Sequence, residues 1–153
     1  MSKLELRLPP PLIAAMVALL MWLIAVLIPV LELPAMTRSW PSYLIFLMGF
    51  SLLIPSIFSF KKFNTTINPT RPEQGSQLIS SGVYRISRNP IYLGFFLLLI
   101  GWGLWLASTL ALLVSILFPA LMTRFQIIPE EQALETLFGD DYLAYKQRVR
   151  RWL

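Results

Sequence analysis

Three short groups of residues in the second half of this 153-residue chain carry the side chains best suited to bind a charged ligand. In chain order they are Arg88-Asn89-Pro90, Gly101-Trp102-Gly103 and Pro129-Glu130-Glu131. The chain contains neither His nor Cys, which excludes thiolate metal sites, most zinc chemistry and the Ser-His-Asp triad. Any catalysis must therefore rely on carboxylates, Arg, Lys, Tyr, amides or backbone groups, and no metal site is predicted.

The first group has both a structural and a functional interpretation. Asn89 and Pro90 suit the N-cap and the first residue of a helix. That interpretation leaves Arg88, and the tyrosines Tyr84 and Tyr92 on either side of it, unexplained. A helix N-terminus with a guanidinium beside it is a natural site for an anionic group. The group therefore predicts anion binding as well as a helix start.

The two glycines of the second group are also open to two interpretations. Small residues within an apolar run often allow close helix packing. They also leave space into which a flat ligand can fit. On a regular helix Gly101 and Gly103 lie roughly 200° apart, so they cannot line one groove together unless the helix is distorted.

The acidic pair Glu130-Glu131 directly follows Pro129. A proline at the first position of a helix, followed by acids that complement the helix dipole, is a common helix start. Adjacent carboxylates close to a membrane are nevertheless costly without a cationic partner. The ammonium group of a ligand would be one such partner. The pair thus predicts either a helix start or one half of a binding site.

The elements that must position these groups are membrane helices. The chain is 56% hydrophobic and 14% charged, whereas soluble domains carry about a quarter charged residues. Apolar runs cover residues 12–31, 40–60 and 91–122. The last is uncharged and would measure about 48 Å as one straight helix, too long for a single span. It is predicted to form a hairpin that turns near Ala107-Ser108-Thr109.

The predicted fold is therefore an all-α integral membrane protein with about four transmembrane helices, a C-terminal helical hairpin and amphipathic cytoplasmic helices over residues 124–153. The net charge of +5 suggests anionic membrane lipids as partners rather than nucleic acid. Basic residues are concentrated in the first segment, the 61–89 loop and the C-terminal segment. The positive-inside rule then places both termini and the long loop in the cytoplasm, for a bacterial or archaeal inner membrane.

Residues 75–152 resemble the isoprenylcysteine carboxyl methyltransferases and phospholipid N-methyltransferases. That family shows a G-x-Y…R-H-P-x-Y-x-G stretch, a helical hairpin with a G-x-G, then E-E…L…F-G…Y…Y and a basic end. The residues here that match, in the same order, are Gly82, Tyr84, Arg88, Pro90, Tyr92, Gly94, Gly101, Gly103, Glu130, Glu131, Leu134, Phe138, Gly139, Tyr142 and Tyr145. Asn89 stands where the family has its His.

The resemblance implies S-adenosylmethionine as the cofactor, bound between the hairpin and the C-terminal helices. The cofactor-binding residues that it implies are Tyr84, Arg88, Asn89, Tyr92, Gly101, Gly103, Glu130, Glu131 and Tyr142. It also implies Arg88, Glu130 and Glu131 as the catalytic residues, with the glycines giving the cofactor close approach and the acids holding its amino group. Residues 1–153 are then one domain, in which 8–60 form two scaffold spans and 75–153 the cofactor-binding part.

The Asn at position 89 affects the choice of methyl acceptor. An amide cannot move a proton near neutral pH, and a carboxylate acceptor arrives deprotonated and needs no base. The predicted acceptor is therefore a lipophilic carboxylate of the isoprenylcysteine type. A phospholipid amine, with Glu130 or Glu131 as the base, is the alternative. A member without activity, a non-enzymatic membrane scaffold and a membrane reductase remain further alternatives, and the sequence does not predict an oligomeric state.

Overall fold

The computed structural model describes residues 9–29, 32–62 and 77–153. All the regular elements in these ranges are helical, and their one β-bridge joins Glu32 to Ser108, so the predicted all-α fold is confirmed. The predictions that concern the first segment and the middle of the 61–89 loop fall on residues 1–8 and 63–76, which lie outside the described residues.

The first two helices come from the two apolar runs of the N-terminal half. Helix α1, Pro10–Leu27, begins with prolines, which are tolerated in a first helical turn, and ends before Pro29. Helix α2, Trp40–Lys62, continues through Pro55, although a proline at this position is expected to kink or end a helix. A short 3₁₀ helix, Ala35–Arg38, joins them.

The predicted hairpin is confirmed. Helix α3, Pro90–Leu106, is followed by Ala107, whose backbone is left-handed with φ of 54°. Ser108 then caps helix α4, Thr109–Ser115, because its side-chain oxygen accepts a hydrogen bond of 3.2 Å from the backbone N–H of Ala111.

The second arm of the hairpin changes its helical geometry several times. Its elements are α4, helix α5 (Leu117–Met122), a π-helical turn (Thr123–Ile127) and helix α6 (Ile128–Phe138). The break between α4 and α5 falls at Ile116, one turn before Pro119, as expected because a proline removes a helical hydrogen bond and crowds the preceding turn. Gly139, with φ of 52°, then leads into helix α7, Asp140–Arg148.

Among the described residues, three helical segments are long and apolar enough to cross a membrane: Pro10–Leu27, Ala35–Ser59 and Thr109–Phe138. The fourth predicted span is α3, which is apolar but has 17 residues. At a rise of about 1.5 Å per residue it measures about 26 Å, at the lower limit for a hydrocarbon core of about 30 Å. The chain is therefore an integral membrane protein, and α3 is the shortest of the four segments predicted to span the membrane.

The bundle has two distinct ends. At one end the backbone N–H of Leu33 donates to the carbonyl of Ala107 at 2.8 Å, and the Thr37 hydroxyl donates to the carbonyl of Leu104 at 3.1 Å. The opposite end, here called the polar end, holds the starts of α1 and α3, the end of α2 and residues 123–152. The core between the two ends includes Met21, Phe118 and Ile127, all fully buried.

Candidate active site at the polar end

The polar end is organised around the buried carboxylate of Glu131 on the first turn of α6. Arg88, just before α3, places Nη2 3.0 Å from Glu131 Oε1. From the end of the chain, Arg151 donates from Nε to Oε1 at 3.0 Å and from Nη2 to Oε2 at 2.7 Å. The side chains of Arg88 and Glu131 are only 9% and 8% exposed. Buried charges need such partners, and Glu131 has two that the protein itself provides.

Arg88 has donor capacity that Glu131 does not use. Its Nε and Nη1 are buried and have no hydrogen-bond partner among the described residues. A guanidinium carries five N–H donors in a fixed plane, and leaving buried donors without an acceptor is costly. These two nitrogens therefore suit an anionic ligand, which agrees with the anion binding predicted for this helix start.

Glu130 is in a different environment from Glu131. Successive residues of a helix diverge by about 100°, so the two side chains point in different directions. Glu130 Oε1 accepts a hydrogen bond of 2.5 Å from the hydroxyl of Tyr92 on α3. Within the described ranges Glu130 makes no ion pair. Glu130 is therefore the member of the pair that has no cationic partner among the described residues.

The C-terminal segment, residues 150–152, is bonded to the start of α3. The carbonyl of Arg150 accepts a hydrogen bond of 3.0 Å from the backbone N–H of Arg88. The carbonyl of Arg151 accepts from Ser87 Oγ at 3.2 Å and from Asn89 Nδ2 at 2.9 Å. The side chain of Asn89 therefore does not cap α3 but holds the C-terminal segment in place.

The same segment also reaches the π-helical turn. Trp152 Nε1 donates to Thr123 Oγ1 at 3.2 Å, and its ring packs against the buried core. Together with the pair of Arg151 and Glu131, this contact connects the C-terminal segment to the second arm of the hairpin. The segment thus joins the polar ends of both arms, so it fixes the distance between Arg88 and the acidic pair.

Three buried tyrosines support this arrangement: Tyr142 and Tyr145 on α7, and Tyr84 shortly before α3. The hydroxyl of Tyr145 donates to the carbonyl of Tyr84 at 2.7 Å, and the ring of Tyr142 lies 6.1 Å from that of Tyr145. Burial raises the pKa of all three hydroxyls well above the ordinary value. The negative charge of Glu131 raises the pKa of Tyr142 further. At neutral pH all three are therefore protonated hydrogen-bond donors and not bases.

Comparison with known proteins identifies the family. The model of the phospholipid methyltransferase family matches residues 37–141, more than half of the chain. The chain belongs to this family. The matched region includes Arg88, Tyr92, Glu130 and Glu131 but ends before Arg151 and the rest of the C-terminal segment. The predicted membrane methyltransferase is thus confirmed at the level of the family.

Individual relatives point to the same family. The chain is 51% identical over 63 residues to an uncharacterized protein of Haemophilus influenzae, covering 41% of this chain and all of that protein. It is 38% identical over 80 residues to the protein-S-isoprenylcysteine O-methyltransferase of Saccharomyces cerevisiae, covering 52% of this chain and 34% of the relative. It is 32% identical over 106 residues to protein-S-isoprenylcysteine O-methyltransferase B of Arabidopsis thaliana, covering 67% of this chain and 52% of the relative.

The chain spans about a third to a half of the length of these two O-methyltransferases. No solved structure matches the chain.

Two predicted cofactor contacts of this family member lie away from the polar end. Gly101 and Gly103 are 12 and 14 residues along the chain from Asn89, or about 18 and 21 Å along the helix. A Cβ on Gly101 would lie 3.0 Å from Phe46 Cδ1 of α2, and one on Gly103 would lie 2.7 Å from Leu112 Cδ2 of α4. Close packing on two different faces accounts for both glycines, and their contact with a cofactor stays a prediction.

The polar end brings together the other predicted residues. Arg88 contacts Glu131, Tyr92 contacts Glu130, Asn89 is bonded to the C-terminal segment, and Tyr84 and Tyr142 each lie beside Tyr145. In the sequence, nothing distinguishes Arg151 from the other basic residues of the C-terminal segment. One argument could have pointed to it: a buried Glu131 is costly without a cationic partner, so a basic residue from elsewhere in the chain is expected beside it.

Proposed function

We propose that this protein transfers a methyl group from S-adenosylmethionine to a lipophilic acceptor at the cytoplasmic face of a membrane. Membership of a methyltransferase family supports the reaction type. The observation that best supports the choice of cofactor is a pair of polar residues at the polar end that have donors or charge without a partner among the described residues. Arg88 has two buried donors without a partner, and Glu130 has no ion pair within the described ranges.

These two residues carry the charges that complement the amino-acid part of the cofactor. A carboxylate and an ammonium on one carbon atom present opposite charges a few ångströms apart. Arg88 would hold the carboxylate through Nε and Nη1, and Glu130, fixed by Tyr92, would hold the ammonium. Glu131 would act indirectly, because its pairing with Arg151 and Arg88 holds the guanidinium of Arg88 in place.

The acceptor that we propose is a carboxylate of the isoprenylcysteine type. When bound, S-adenosylmethionine supplies a methyl group on a sulfonium, and its transfer to a carboxylate oxygen yields a methyl ester and a neutral thioether without release of a proton. No base is needed, which agrees with an amide at position 89 and with tyrosines that stay protonated. The two relatives named as isoprenylcysteine O-methyltransferases support this acceptor.

The role of the protein in this reaction is to position the reactants and exclude water. Such positioning can lower a displacement barrier by several kcal/mol (about 7 or more in favourable cases).

A phospholipid amine is the second candidate acceptor, because the matching family is described as phospholipid methyltransferase. An amine must lose a proton, and Glu130 would be the base. In a non-enzymatic scaffold without a ligand, the two buried donors of Arg88 would lack a hydrogen-bond acceptor among the described residues, which is costly.

We propose the same orientation as the charge pattern predicts. Arg85, Arg88 and the basic residues of α7 and the C-terminal segment all lie at the polar end, where α1 also begins. An excess of Lys and Arg is typical of cytoplasmic loops. Both termini would therefore face the cytoplasm of a bacterium or archaeon. Residues 8–60 would serve mainly as scaffold and residues 75–153 would hold the cofactor.

Calorimetric titration of the detergent-solubilised protein with S-adenosylhomocysteine tests the cofactor site. We expect Arg88→Ala and Glu130→Gln each to weaken binding about 10- to 100-fold, as for a lost charged hydrogen bond of about 1.5–3 kcal/mol. The matched controls are Arg85→Ala, in an exposed position one turn earlier, and Glu135→Gln, whose carboxylate pairs with Lys146. No binding by the unaltered protein at millimolar ligand would contradict the proposed function.

Methylation assays then identify the acceptor. Radiolabelled S-adenosylmethionine is supplied with N-acetyl-S-farnesylcysteine or with phosphatidylethanolamine vesicles. Base-labile radioactivity in the farnesylcysteine product is the expected result. Label that is stable to base and found only in the phospholipid would favour the amine acceptor instead.

A further inference from the structure

An apolar groove opens on the outer face of the bundle between α1 and the second arm of the hairpin. Its volume is about 410 Å³, within the range of about 300–1,000 Å³ that is typical of ligand pockets. One wall consists of α1 residues between Ile13 and Leu20, and the other of residues between Leu117 and Phe125. Every residue that lines the groove is apolar, so it suits a hydrocarbon and no polar ligand.

We propose that this groove binds the hydrocarbon chain of the methyl acceptor. The proposal rests on the proposed function and adds a location for the lipid part of the substrate. Both walls belong to helices that are long and apolar enough to cross a membrane, so the groove opens toward lipid. A chain dissolved in the bilayer can therefore enter it from the side.

The position of the groove along the bundle is what connects it to the polar end. Ile13 and Leu20 lie in the first three of the about five turns of α1, which begins at the polar end. Phe125 lies within the π-helical turn, five residues before Glu130, or about 7 Å along a helix. A chain that fills the groove would place its polar head beside the turn that leads into the site.

The inner wall of the groove also forms part of the support of the site. Ile13 and Val17 line the groove and belong to the same buried cluster as Tyr92, whose hydroxyl holds Glu130. Met122, just before the π-helical turn, and Ile127, its last residue, are members of this cluster as well. The hydrocarbon would thus pack against one face of this buried cluster. Tyr92, a predicted cofactor-binding residue, belongs to the same cluster.

Two tryptophan substitutions that fill the groove test this inference. Met16→Trp and Leu121→Trp alter partly exposed lining residues, which limits damage to the core. Matched controls are Leu19→Trp on α1 and Leu113→Trp on the second arm, since both are exposed and neither lines the groove. We expect the KM for N-acetyl-S-farnesylcysteine to rise at least tenfold in the groove variants and to stay within twofold in the controls. Affinity for S-adenosylhomocysteine should be unchanged in all four.

A second measurement requires no turnover. A farnesylcysteine analogue that carries a diazirine on its chain is photolysed with the full chain in nanodiscs, and the labelled peptides are sequenced. Labelling of residues 13–20 and 117–125, suppressed by N-acetyl-S-farnesylcysteine but not by N-acetylcysteine, is the expected result. Labelling elsewhere, equal suppression by dioleoyl phosphatidylglycerol, or an unchanged KM in both groove variants would overturn the inference.

The two proposals fail in different ways. Absence of S-adenosylhomocysteine binding refutes the proposed function, whereas the photolabelling pattern tests the location of the chain even in a protein without turnover.

Discussion

Arg151 donates one hydrogen bond to each oxygen of the Glu131 carboxylate, at 3.0 and 2.7 Å, across 20 residues of sequence. This geometry is the two-pronged form that makes Arg–carboxylate pairs strong and directional. Because Arg88 and Arg151 already compensate the charge of Glu131, we propose Glu130 and not Glu131 as the residue that would hold a ligand ammonium. The hydrogen bonds that Arg151 donates to Glu131 also raise the pKa of Arg151, which therefore stays charged throughout the accessible pH range.

Removal of this pair should lower the stability of the protein. In Arg151→Ala, Glu131 keeps only Arg88 as a cation, and we expect a loss of about 1–2 kcal/mol, less than for a fully buried pair because Arg151 is 37% exposed. Arg150→Ala is the control, since Arg150 contributes its carbonyl to the start of α3 and its side chain is exposed. Equal thermal stability of the two variants in detergent would contradict the role given to Arg151.

The hydroxyl of Tyr92 should matter for ligand binding more than for folding. Tyr92→Phe keeps the buried ring and removes the hydrogen bond to Glu130. We expect S-adenosylhomocysteine to bind about 5- to 30-fold more weakly, less than for Glu130→Gln, because the hydroxyl acts on the ligand only through the position of Glu130. Tyr43→Phe, at an exposed position of α2, is the control and should bind normally. Normal affinity in Tyr92→Phe would show that Glu130 does not need its partner.

Alanine substitutions at the glycines of α3 should distinguish a role in helix packing from contact with the cofactor. A Cβ on Gly94 would lie 3.0 Å from the carbonyl oxygen of Gly49 on α2, and backbone cannot move aside easily. Gly94→Ala should therefore destabilise the protein by about 1–3 kcal/mol. Gly103→Ala meets the tip of the Leu112 side chain, which can rotate away, so a smaller loss is expected.

Calorimetry on the same glycine variants tests the predicted cofactor contact. Gly103 lies about 21 Å along the helix from Asn89, so Gly103→Ala should leave S-adenosylhomocysteine affinity within twofold. A tenfold loss in a stable Gly103→Ala protein would instead support the contact with the cofactor.

Alkaline pH should weaken the polar end. The pKa of the buried Tyr84, Tyr142 and Tyr145 hydroxyls is raised in the folded protein from the ordinary value of 10.0. Below about pH 10 both the folded and unfolded chains keep these protons, so stability does not depend on them. Above pH 10 the unfolded chain releases its protons first, so the free energy of unfolding falls as pH rises.

Thermal unfolding between pH 8 and 11.5 measures this effect. Tyr145→Phe removes one of the three hydroxyls, so the decline of its Tm above pH 10 should be shallower than that of the unaltered protein. Comparison of the two proteins cancels the contribution of lysines, which titrate in the same range. Identical slopes would mean that Tyr145 is not buried in the way described.

Much of the fold could be predicted because its signals are local. The uncharged run over residues 91–122 is too long for one helix, and Ala107-Ser108-Thr109 is the natural place for a turn. Asn89 and Pro90 likewise mark the start of α3. Pro55 is the exception, because α2 continues through it, and a helix packed closely on a neighbour can tolerate the lost hydrogen bond.

The candidate site could be predicted only in part. The order of motifs pointed to Arg88, Tyr92 and the acidic pair, and these residues do meet at the polar end. Nothing in the sequence distinguished Glu130 from Glu131. The division between them depends on where Arg151 and Tyr92 lie in space, and on a π-helical turn that sets the rotation of α6.

The sequence by itself determined that this is a helical membrane protein with a C-terminal hairpin, and its motifs indicated the methyltransferase family. Hydropathy and helical periodicity depend on neighbouring residues, so they can be read along the chain. The tertiary structure decided which charge has which partner: Glu131 with Arg88 and Arg151, and Glu130 with Tyr92. These pairs form between distant segments, and a buried charge is stable only where packing brings its partner within hydrogen-bonding distance.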